Sequence, residues 1–413
     1  MSNTPWRTDK WFTSPWNWLP DVRSTLAFPG KIELHDVTLR DGEQQAGIIF
    51  SKDEKIRIAE ALAAVGVHRI EAGMPVVSAD DAAAVQEIVK RNLGPQIYAF
   101  ARCMKDDVQR AVDSGVSGVV VEIPSSTHMI EKAYGWKLDR AIALSVEATS
   151  YAHEKGLRVV FFPIDLSRAE FNWGMGLIER VAREGWMDAL AVVDTFGGLA
   201  PHAIPWLIRA MKERVGDKPL EAHFHDDFGM GAANSLLAVA AGASAVHTTI
   251  AALGERAGNT PYEDLALALL TMYGVDLGLR YDRMAQVARM VEGITGQPNR
   301  WNRAVFGKYL TDIESGIIAG WYRNCKDEPT MLAPYDPALV GGNPIDVVLG
   351  KNSGVESIRV WAERIGVDIT DDEAQALVQA VKARAFEKHG LLDETDFRAI
   401  VAKAIPKSRS HVG

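Results

Sequence analysis

The sequence has little cysteine, and this excludes two classes of site. Cys103 and Cys325 are the two cysteines among 413 residues. Two thiols so far apart are too few for a disulfide framework or for a cysteine metal site. They indicate a reducing compartment, and a metal site in this chain has to rely on histidine, carboxylate and amide ligands.

Long apolar runs and clusters of basic residues are also missing. No stretch reaches the roughly 18 apolar residues that cross a membrane, and the first residues lack the pattern of a signal peptide. The net charge is −9 without a run rich in lysine and arginine, so nucleic acids and anionic membranes are not expected as partners. We expect a soluble, cytoplasmic protein. An apolar fraction of 47% is sufficient for a large core.

Apolar, β-branched runs alternate with amphipathic segments from about residue 31 to residue 285. Strands are predicted at 31–36, 67–73, 96–102, 117–123, 157–164, 188–194, 219–225 and 244–251. The clearest helix between them begins at a capping box of Ser51 and Glu54 and ends at Gly66. This alternation predicts an α/β fold, a (β/α)8 TIM barrel, which typically takes about 250 residues. A doubly wound open sheet is the alternative, but no Gly-x-Gly-x-x-Gly motif follows the first strand.

The segments on either side of the predicted barrel differ from it in composition. Residues 1–29 form an arm rich in tryptophan. We prefer the interpretation that this arm packs on the domain or on a neighbouring subunit, and the alternative is a lid over the active site. Residues 30–285 are the predicted barrel. Residues 286–413 predict a linker and a small, mainly helical C-terminal subdomain, too short for a second catalytic domain.

Polar residues follow the predicted strands at their carboxyl ends, where TIM barrels place their chemistry. The first strand leads into Arg40 and Asp41, and the seventh carries His223 and His225, whose spacing of two puts both imidazoles on one face. Asn259, after the eighth strand, can add an oxygen. This set of ligands suits a divalent ion such as Mn²⁺, Mg²⁺ or Co²⁺, and Zn²⁺ is a further option.

A divalent ion held by these ligands could act on the carbonyl group of a substrate. It could bind the carboxylate and keto oxygens of a 2-oxo acid, and Arg40 would share the negative charge that develops there. Arg102 could pair with a second substrate carboxylate. The candidates for substrate binding are Arg102, Thr195, Gln44 and His128, and the candidates for catalysis are Arg40, Asp165 and Glu43.

Three motifs resemble those of the DRE-TIM metallolyases, in particular the isopropylmalate, homocitrate and citramalate synthases. They are TLRDGEQ at 38–44, HFHDDFGMGAANS at 223–235 and GERAGN at 254–259. The resemblance implies a barrel with a divalent metal and Claisen-type condensation of an acyl-CoA with a 2-oxo acid. It also implies a homodimer in which the C-terminal region reaches the partner's active site. By the match, Arg40 is the catalytic arginine, and the metal ligands are Asp41, His223, His225 and Asn259.

The chain departs from those synthases at two positions. They carry a glutamate in a Pro-Glu-Asp motif on strand 5, where this chain has Ile164, and a histidine after a Ser-Gly pair, where it has Ile318. That glutamate–histidine pair is linked to removal of a proton from the acetyl group, and isoleucine cannot accept a proton. Candidates for a different base are Asp165, His128 and Glu314.

Two further functions remain open. One is a lyase of the 3-hydroxy-3-methylglutaryl-CoA lyase type that cleaves a 3-hydroxy acid, although the loop at Gly254 lacks the cysteine of that lyase. The other is a binding or regulatory protein that kept the metal site and lost the base. Arg40 argues against it, because ligand binding alone would not require that residue.

Overall fold

A computed structural model describes residues 4–405, and its contacts divide the chain into two compact units. One unit comprises residues 15–299, and the other combines residues 4–14 with 300–405. The predicted N-terminal arm therefore contributes to both units. Residues 1–3 of that arm and residues 406–413 of the predicted C-terminal subdomain lie outside the described residues.

Eight parallel strands close into a barrel in chain order, which confirms the predicted (β/α)8 fold. The strands are β1 (Glu33–Asp36), β2 (Arg69–Glu71), β3 (Gln96–Arg102), β4 (Gly118–Pro124), β5 (Arg158–Ile164), β6 (Ala189–Asp194), β7 (Leu220–Phe224) and β8 (Ala245–Thr248). Each of them overlaps the apolar run that predicted it. Such near-continuous apolar runs are typical of parallel strands, because helices cover the outside of the sheet while side chains fill its inside.

Helices connect and follow these strands. They are α1 (Pro20–Arg23), before the barrel, then α2 (Lys52–Val65), α3 (Ala79–Lys90), α4 (Lys105–Asp113), α5 (Leu138–Glu154), α6 (Phe171–Glu184), α7 (Ile204–Val215), α8 (Gly231–Ala240), α9 (Tyr262–Ala268) and α10 (Met284–Thr295). The capping box of α2 is present: the amide of Glu54 donates to Ser51 Oγ, and the amide of Ser51 donates to Glu54 Oε2 at 2.8 Å. None of the helices in the described chain is long and apolar enough to cross a membrane.

Side chains from alternate strand positions fill the barrel. One inward-facing cluster comprises Tyr98, Phe100, Val120, Val160, Phe162, Ala189, Ala191 and Val193. The ring of Tyr98 lies against Gly118, where a Cβ atom would approach a ring carbon to 2.3 Å. Only glycine fits at that position, because the ring occupies the space of a Cβ atom. The ring therefore fills this part of the barrel interior, which is not an open pore.

The other unit is mainly helical over its described C-terminal part. It contains α11 (Gly316–Cys325), α12 (Val355–Arg364), α13 (Asp371–Lys388) and α14 (Glu394–Ala404), with a two-stranded sheet of β9 (Asp312–Ile313) and β10 (Asp346–Val347). Trp361, Leu377 and Phe397 lie in its core. Thr370 and Glu373 form a capping box at the start of α13, which satisfies amide groups of its first turn.

The arm packs on this chain within each unit. In the mainly helical unit, the amide of Phe12 donates to the carbonyl of Pro334 at 2.9 Å. In the barrel unit, Arg23 Nη1 donates to the carbonyl of Tyr273 at 3.1 Å, and the ring of Trp18 lies against Gly274. The tryptophan-rich segment therefore contributes packing contacts to both units.

Asp36 gives a testable link between folding and pH. This buried residue ends β1, and its Oδ1 accepts from the amide of Thr38 at 2.9 Å. Burial raises the pKa of Asp36 from the ordinary 3.8 to about 7. Because the native state holds this proton at pH values where the unfolded chain has lost it, the contribution of Asp36 to stability falls as the pH rises between the two values.

We expect Asp36→Asn to become more stable relative to wild type between pH 5 and pH 8. The expected gain is about 1.4 kcal/mol for each pH unit between pH 5 and the raised pKa of this carboxyl group. The asparagine oxygen can still accept from Thr38, so the local geometry is kept. Melting temperatures of both proteins at the two pH values provide the measurement. A difference between them that does not change with pH would contradict the assignment.

Candidate metal and catalytic centre

A turn after β1 carries the two charged residues of the first motif. β1 ends at Asp36, and the amides of Arg40 and Asp41 both donate to the carbonyl of Val37, at 3.1 and 2.9 Å. β1 therefore ends where the predicted strand ends, and Arg40 and Asp41 lie on the turn after it. β7 ends one residue before His225, which the predicted seventh strand included. The backbone turns where these side chains are needed, so the strand pattern alone could not place them.

Asp41, His223 and His225 meet at the carboxyl end of the barrel. Asp41 Oδ2 lies 3.4 Å from His223 Nε2 and 3.8 Å from His225 Nε2, and the two imidazole nitrogens are 3.4 Å apart. An isolated β-bridge joins His225 to Asn259, so the loop after β8 is held beside this group. The Nδ2 atom of Asn259 donates to the carbonyl of Leu253 at 3.2 Å, which leaves its Oδ1 atom free.

These side chains fit a divalent cation. Asp41 Oδ1 and Asn259 Oδ1 are buried and have no hydrogen-bond partner among the described residues, which is unusual for oxygens with nothing to bind. Burial lowers the pKa of His223 to about 3 and also lowers the pKa of His225, so both rings offer a lone pair at neutral pH. Burial alone would raise the pKa of Asp41, but Arg40 and His223 hold it below its usual value.

The loop that carries Asn259 requires a glycine next to it. Gly258 has a φ of +88°, and a Cβ atom there would come within 1.7 Å of the carbonyl oxygen of Ala252. The carbonyl of Gly258 also accepts from the amide of Asp226 at 2.9 Å, just after His225. Gly258 therefore lets the loop fold tightly enough to bring Asn259 beside the histidines.

Arg40 is fixed by four neighbours and keeps one donor free. Its side chain forms an ion pair with Glu71. Its Nη1 atom lies 3.1 Å from Asp41 Oδ2 and also donates a hydrogen bond to Gln44 Oε1 at 3.2 Å. Its guanidinium carbon lies 3.9 Å from the centre of the Phe100 ring. Nη2 is buried without a hydrogen-bond partner in the described chain. This atom is available to a negatively charged ligand beside Asp41.

A buried relay behind His223 determines which of its nitrogens carries the proton. His223 Nδ1 and His247 Nδ1 are 3.2 Å apart, and His247 Nε2 lies 3.0 Å from Glu221 Oε2. Arg69 Nη1 donates to Glu221 Oε1 at 2.6 Å, which favours the ionised carboxylate. His247 must then donate from Nε2 and accept at Nδ1, so His223 donates from Nδ1. The lone pair of His223 is left on Nε2, the atom that faces Asp41.

His35 completes a second buried group with the same relay. His35, Glu221 and His247 have candidate ligand atoms within 4.8 Å of one another. The charge of Glu221 is already matched by Arg69 on the side away from His247. We therefore interpret the hydrogen-bonded pair of Glu221 and His247 as a support for the site and not as part of a second metal site.

Asp165, His128 and Thr195 lie together, but they are engaged with one another. Asp165 Oδ2 accepts from Ser126 Oγ at 2.5 Å and lies 2.8 Å from His128 Nε2, while Oδ1 accepts from Arg168 Nε at 2.5 Å. The amide of Asp165 donates to Thr195 Oγ1 at 2.8 Å. Both oxygens of Asp165 are thus occupied, which makes this carboxylate a poor proton acceptor for a substrate.

Three other candidates take structural or peripheral positions. Glu43 pairs with the buried Lys55 at 2.6 Å, and Arg102 pairs with Asp107 at 2.6 Å while 48% of its side chain is exposed. Glu314 belongs to the mainly helical unit, where it accepts from a backbone amide at 2.9 Å. Gln44 positions Arg40, as described above. Of the candidate bases, none is a free buried carboxylate beside Arg40.

Four residues near the site received no role from the sequence. They are Glu71, Glu122, Glu221 and His247, all on barrel strands. The signal that could have found them is a charged or imidazole side chain at an alternate position of an otherwise apolar strand, since such positions face the barrel interior.

The family model described as HMGL-like matches residues 31–291. The chain belongs to the HMGL-like family. This agrees with the DRE-TIM resemblance of its three motifs. The homocitrate synthase of Methanothermobacter thermautotrophicus is 32% identical over 95% of this chain and 97% of its own length. The probable 2-isopropylmalate synthase of Ignicoccus hospitalis is 34% identical over 91% of this chain and 93% of its own length.

Solved structures show the same barrel fold. The HMG-CoA lyase of Bacillus subtilis superposes with a TM-score of 0.61 at 20% identity, over 66% of this chain and 97% of the lyase. At this identity the likeness supports the barrel fold alone. Since the relatives of this HMGL-like chain are synthases, the chain is an enzyme.

The relay behind His223 predicts a loss of metal affinity when its acceptor is removed. In His247→Phe, no atom accepts from His223 Nδ1, so the proton is no longer confined to that nitrogen. We expect the affinity for Mn²⁺ or Co²⁺ to fall by about 10- to 100-fold. Isothermal titration of the metal-free protein gives the affinity, and the visible spectrum of bound Co²⁺ reports the ligand geometry.

His247→Gln is the matched control, because its side-chain oxygen can still accept from His223. It is expected to bind the metal more tightly than His247→Phe. Equal affinities in wild type and His247→Phe, at comparable melting temperatures, would show that the relay does not act on His223.

Proposed function

We propose that this enzyme catalyses the Claisen-type condensation of an acyl-CoA with a 2-oxo acid, dependent on a divalent metal. The observation that carries the proposal is the convergence of Asp41, His223 and His225 with the free Nη2 atom of Arg40 at the carboxyl end of the barrel. Asp41, His223, His225 and Asn259 would hold Mn²⁺, Mg²⁺, Co²⁺ or Zn²⁺. When bound, the metal supplies Lewis-acid polarisation of the carbonyl group of the 2-oxo acid.

Arg40 supplies the stationary positive charge for the oxygen of that carbonyl group. Its contacts with Glu71, Gln44 and Phe100 fix its direction, so little reorganisation is needed when negative charge develops on the substrate. Burial strengthens this interaction because little water is present to screen it. Arg40 therefore acts in binding as well as in catalysis.

A cavity beside Arg40 supports a small substrate. It has a volume of about 340 Å³, and its apolar lining includes Leu39, Ile48, Met74 and Val77. A 2-oxo acid that offers its carboxylate to Arg40 could place an alkyl side chain against these residues. The polar lining includes Lys55, whose charge is matched by Glu43 and Asp81.

A lyase that cleaves a 3-hydroxy acid is the second candidate. The observation that favours it is the presence of Ile164 and Ile318, which cannot act as the base pair of the synthases. Cleavage uses the same charged groups in reverse, so Arg40 and the metal ligands fit either direction. The homodimer with a shared active site and the cytoplasmic location stay predictions.

The first test is thiol release by the metal-loaded enzyme. Acetyl-CoA is mixed in turn with glyoxylate, pyruvate, 2-oxoisovalerate, 2-oxoglutarate and oxaloacetate, and free CoA is followed. We expect release with one of these acids, abolished by a chelator. Arg40→Lys keeps a positive charge but loses the planar fork, so we expect kcat to fall by about 10²-fold or more.

Silence of the wild type across this panel would reject the condensation as proposed. Metal-dependent cleavage of 3-hydroxyacyl-CoA esters would then be measured. Activity of Ile164→Glu/Ile318→His in the thiol assay, with a silent wild type, would indicate that the two isoleucines mark a change of chemistry towards the lyase.

A further inference from the structure

Glu122 is a carboxylate that faces the inside of the barrel near its carboxyl end. It lies on β4, two residues after Val120, which belongs to the inward-facing cluster. Alternation along a strand puts Glu122 on the same side as Val120, nearer the carboxyl end. In the sheet it is level with Arg102 on β3 and Phe162 on β5.

The side chain of Glu122 has no fixed partner. Among the described residues, its carboxyl group forms no hydrogen bond or ion pair, and part of it remains accessible. The other carboxylates around the centre are engaged: Glu71 with Arg40, Asp165 with Arg168, and Asp194 with Ser167. Unlike these three groups, Glu122 has neither of its carboxylate oxygens in a hydrogen bond or ion pair among the described residues, so it is open to a ligand or a proton.

Charged groups on the neighbouring elements act on Glu122 from several sides. Burial raises its pKa, Arg40 and Arg102 oppose that rise, and Asp107 adds to it. Tyr134, on the segment after β4, also feels the charge of Glu122. A partly desolvated carboxylate is a stronger proton acceptor than one in water, and Glu122 lies within electrostatic reach of Arg40.

The position of Glu122 corresponds to the missing base of strand 5. Ile164 is level with Pro124 in the sheet, and Glu122 is level with Phe162. Ile164 packs against the inward-facing cluster, so it and Glu122 face the same interior from adjacent strands. The strand spacing and rise give a Cα separation of about 8 Å for such diagonal neighbours, which a glutamate side chain can bridge.

We propose that Glu122 is the proton-transfer group of this enzyme, in place of a glutamate on strand 5. The proposal rests on the function proposed above. In the condensation, the C–H bond next to the acyl carbonyl breaks and its proton goes to a carboxylate oxygen of Glu122. The electron pair forms the new bond to the carbonyl carbon of the 2-oxo acid, whose π electrons move to the oxygen beside Arg40, and that oxygen then takes a proton from water. Hydrolysis of the thioester of this adduct by a second water molecule gives the carboxylic acid and the free CoA that the assay follows. In the direction of cleavage, Glu122 returns the proton to that carbon.

Glu122→Gln tests this role, because glutamine keeps the size of the side chain and cannot accept the proton. We expect kcat for thiol release to fall by about 10²-fold or more, with KM for the 2-oxo acid and the affinity for Mn²⁺ little changed. Exchange of the acetyl-CoA methyl hydrogens in D₂O, followed by mass spectrometry, is expected to fall in parallel. Glu147→Gln, an exposed carboxylate on α5, is the control and is expected to match wild type.

A second variant separates a proton acceptor from a packing residue. In Glu122→Gln/Ile164→Glu the carboxylate is moved to the adjacent strand, and we expect part of the lost exchange and turnover to return. If Glu122→Gln binds the metal so weakly, or melts at so low a temperature, that this alone explains its loss of activity, the proposal is overturned in favour of a structural role.

The outcomes distinguish this proposal from the proposed function. Turnover by wild type together with undiminished turnover by Glu122→Gln overturns the role of Glu122 and leaves the function intact. A wild type that is inactive in both condensation and cleavage overturns the function, and the role of Glu122 with it.

Discussion

The pairing of two buried arginines with barrel carboxylates is the interaction on which the centre depends. Arg69 pairs with Glu221 inside the barrel, and Arg40 pairs with Glu71 and Asp41 at its carboxyl end. Unpaired charges in such a place would be very costly, whereas matched pairs with further hydrogen bonds are tolerated. The Arg69 pair also determines a tautomer, because Arg69 holds Glu221 in place and Glu221 in turn holds the proton of His247 on Nε2.

The fold was readable from the sequence because a parallel barrel repeats one pattern eight times. Apolar runs of strand length alternate with capped helices, and the box at Ser51 and Glu54 has the hydrogen bonds that its spacing predicts. Boundaries were less readable. The predicted seventh and eighth strands run to His225 and Ala251, whereas β7 ends at Phe224 and β8 at Thr248.

The metal-ligand candidates could be predicted from the sequence because their residue types are typical of a metal site. Asp41, His223 and His225 come together because the carboxyl ends of the barrel strands converge, although Asp41 and His225 lie just beyond the ends of their strands. The roles of Asp165 and Glu43 could not be judged, since a carboxylate that binds a substrate and one that binds a lysine look alike in sequence. Their partners, Arg168 and Lys55, are decided by side-chain packing that only the folded chain reveals.

The packing of the Tyr98 ring against Gly118 determines the route by which ions, water and protons reach the site. The interior below the histidines is filled, and Tyr98, His35 and Glu221 have no exposed surface. Ions, water and protons therefore enter and leave by the carboxyl end, the same opening that the substrate uses. A bound 2-oxo acid would cover the metal on its only open side. The dissociation of the metal would then be slower while the acid is bound, with no conformational change required.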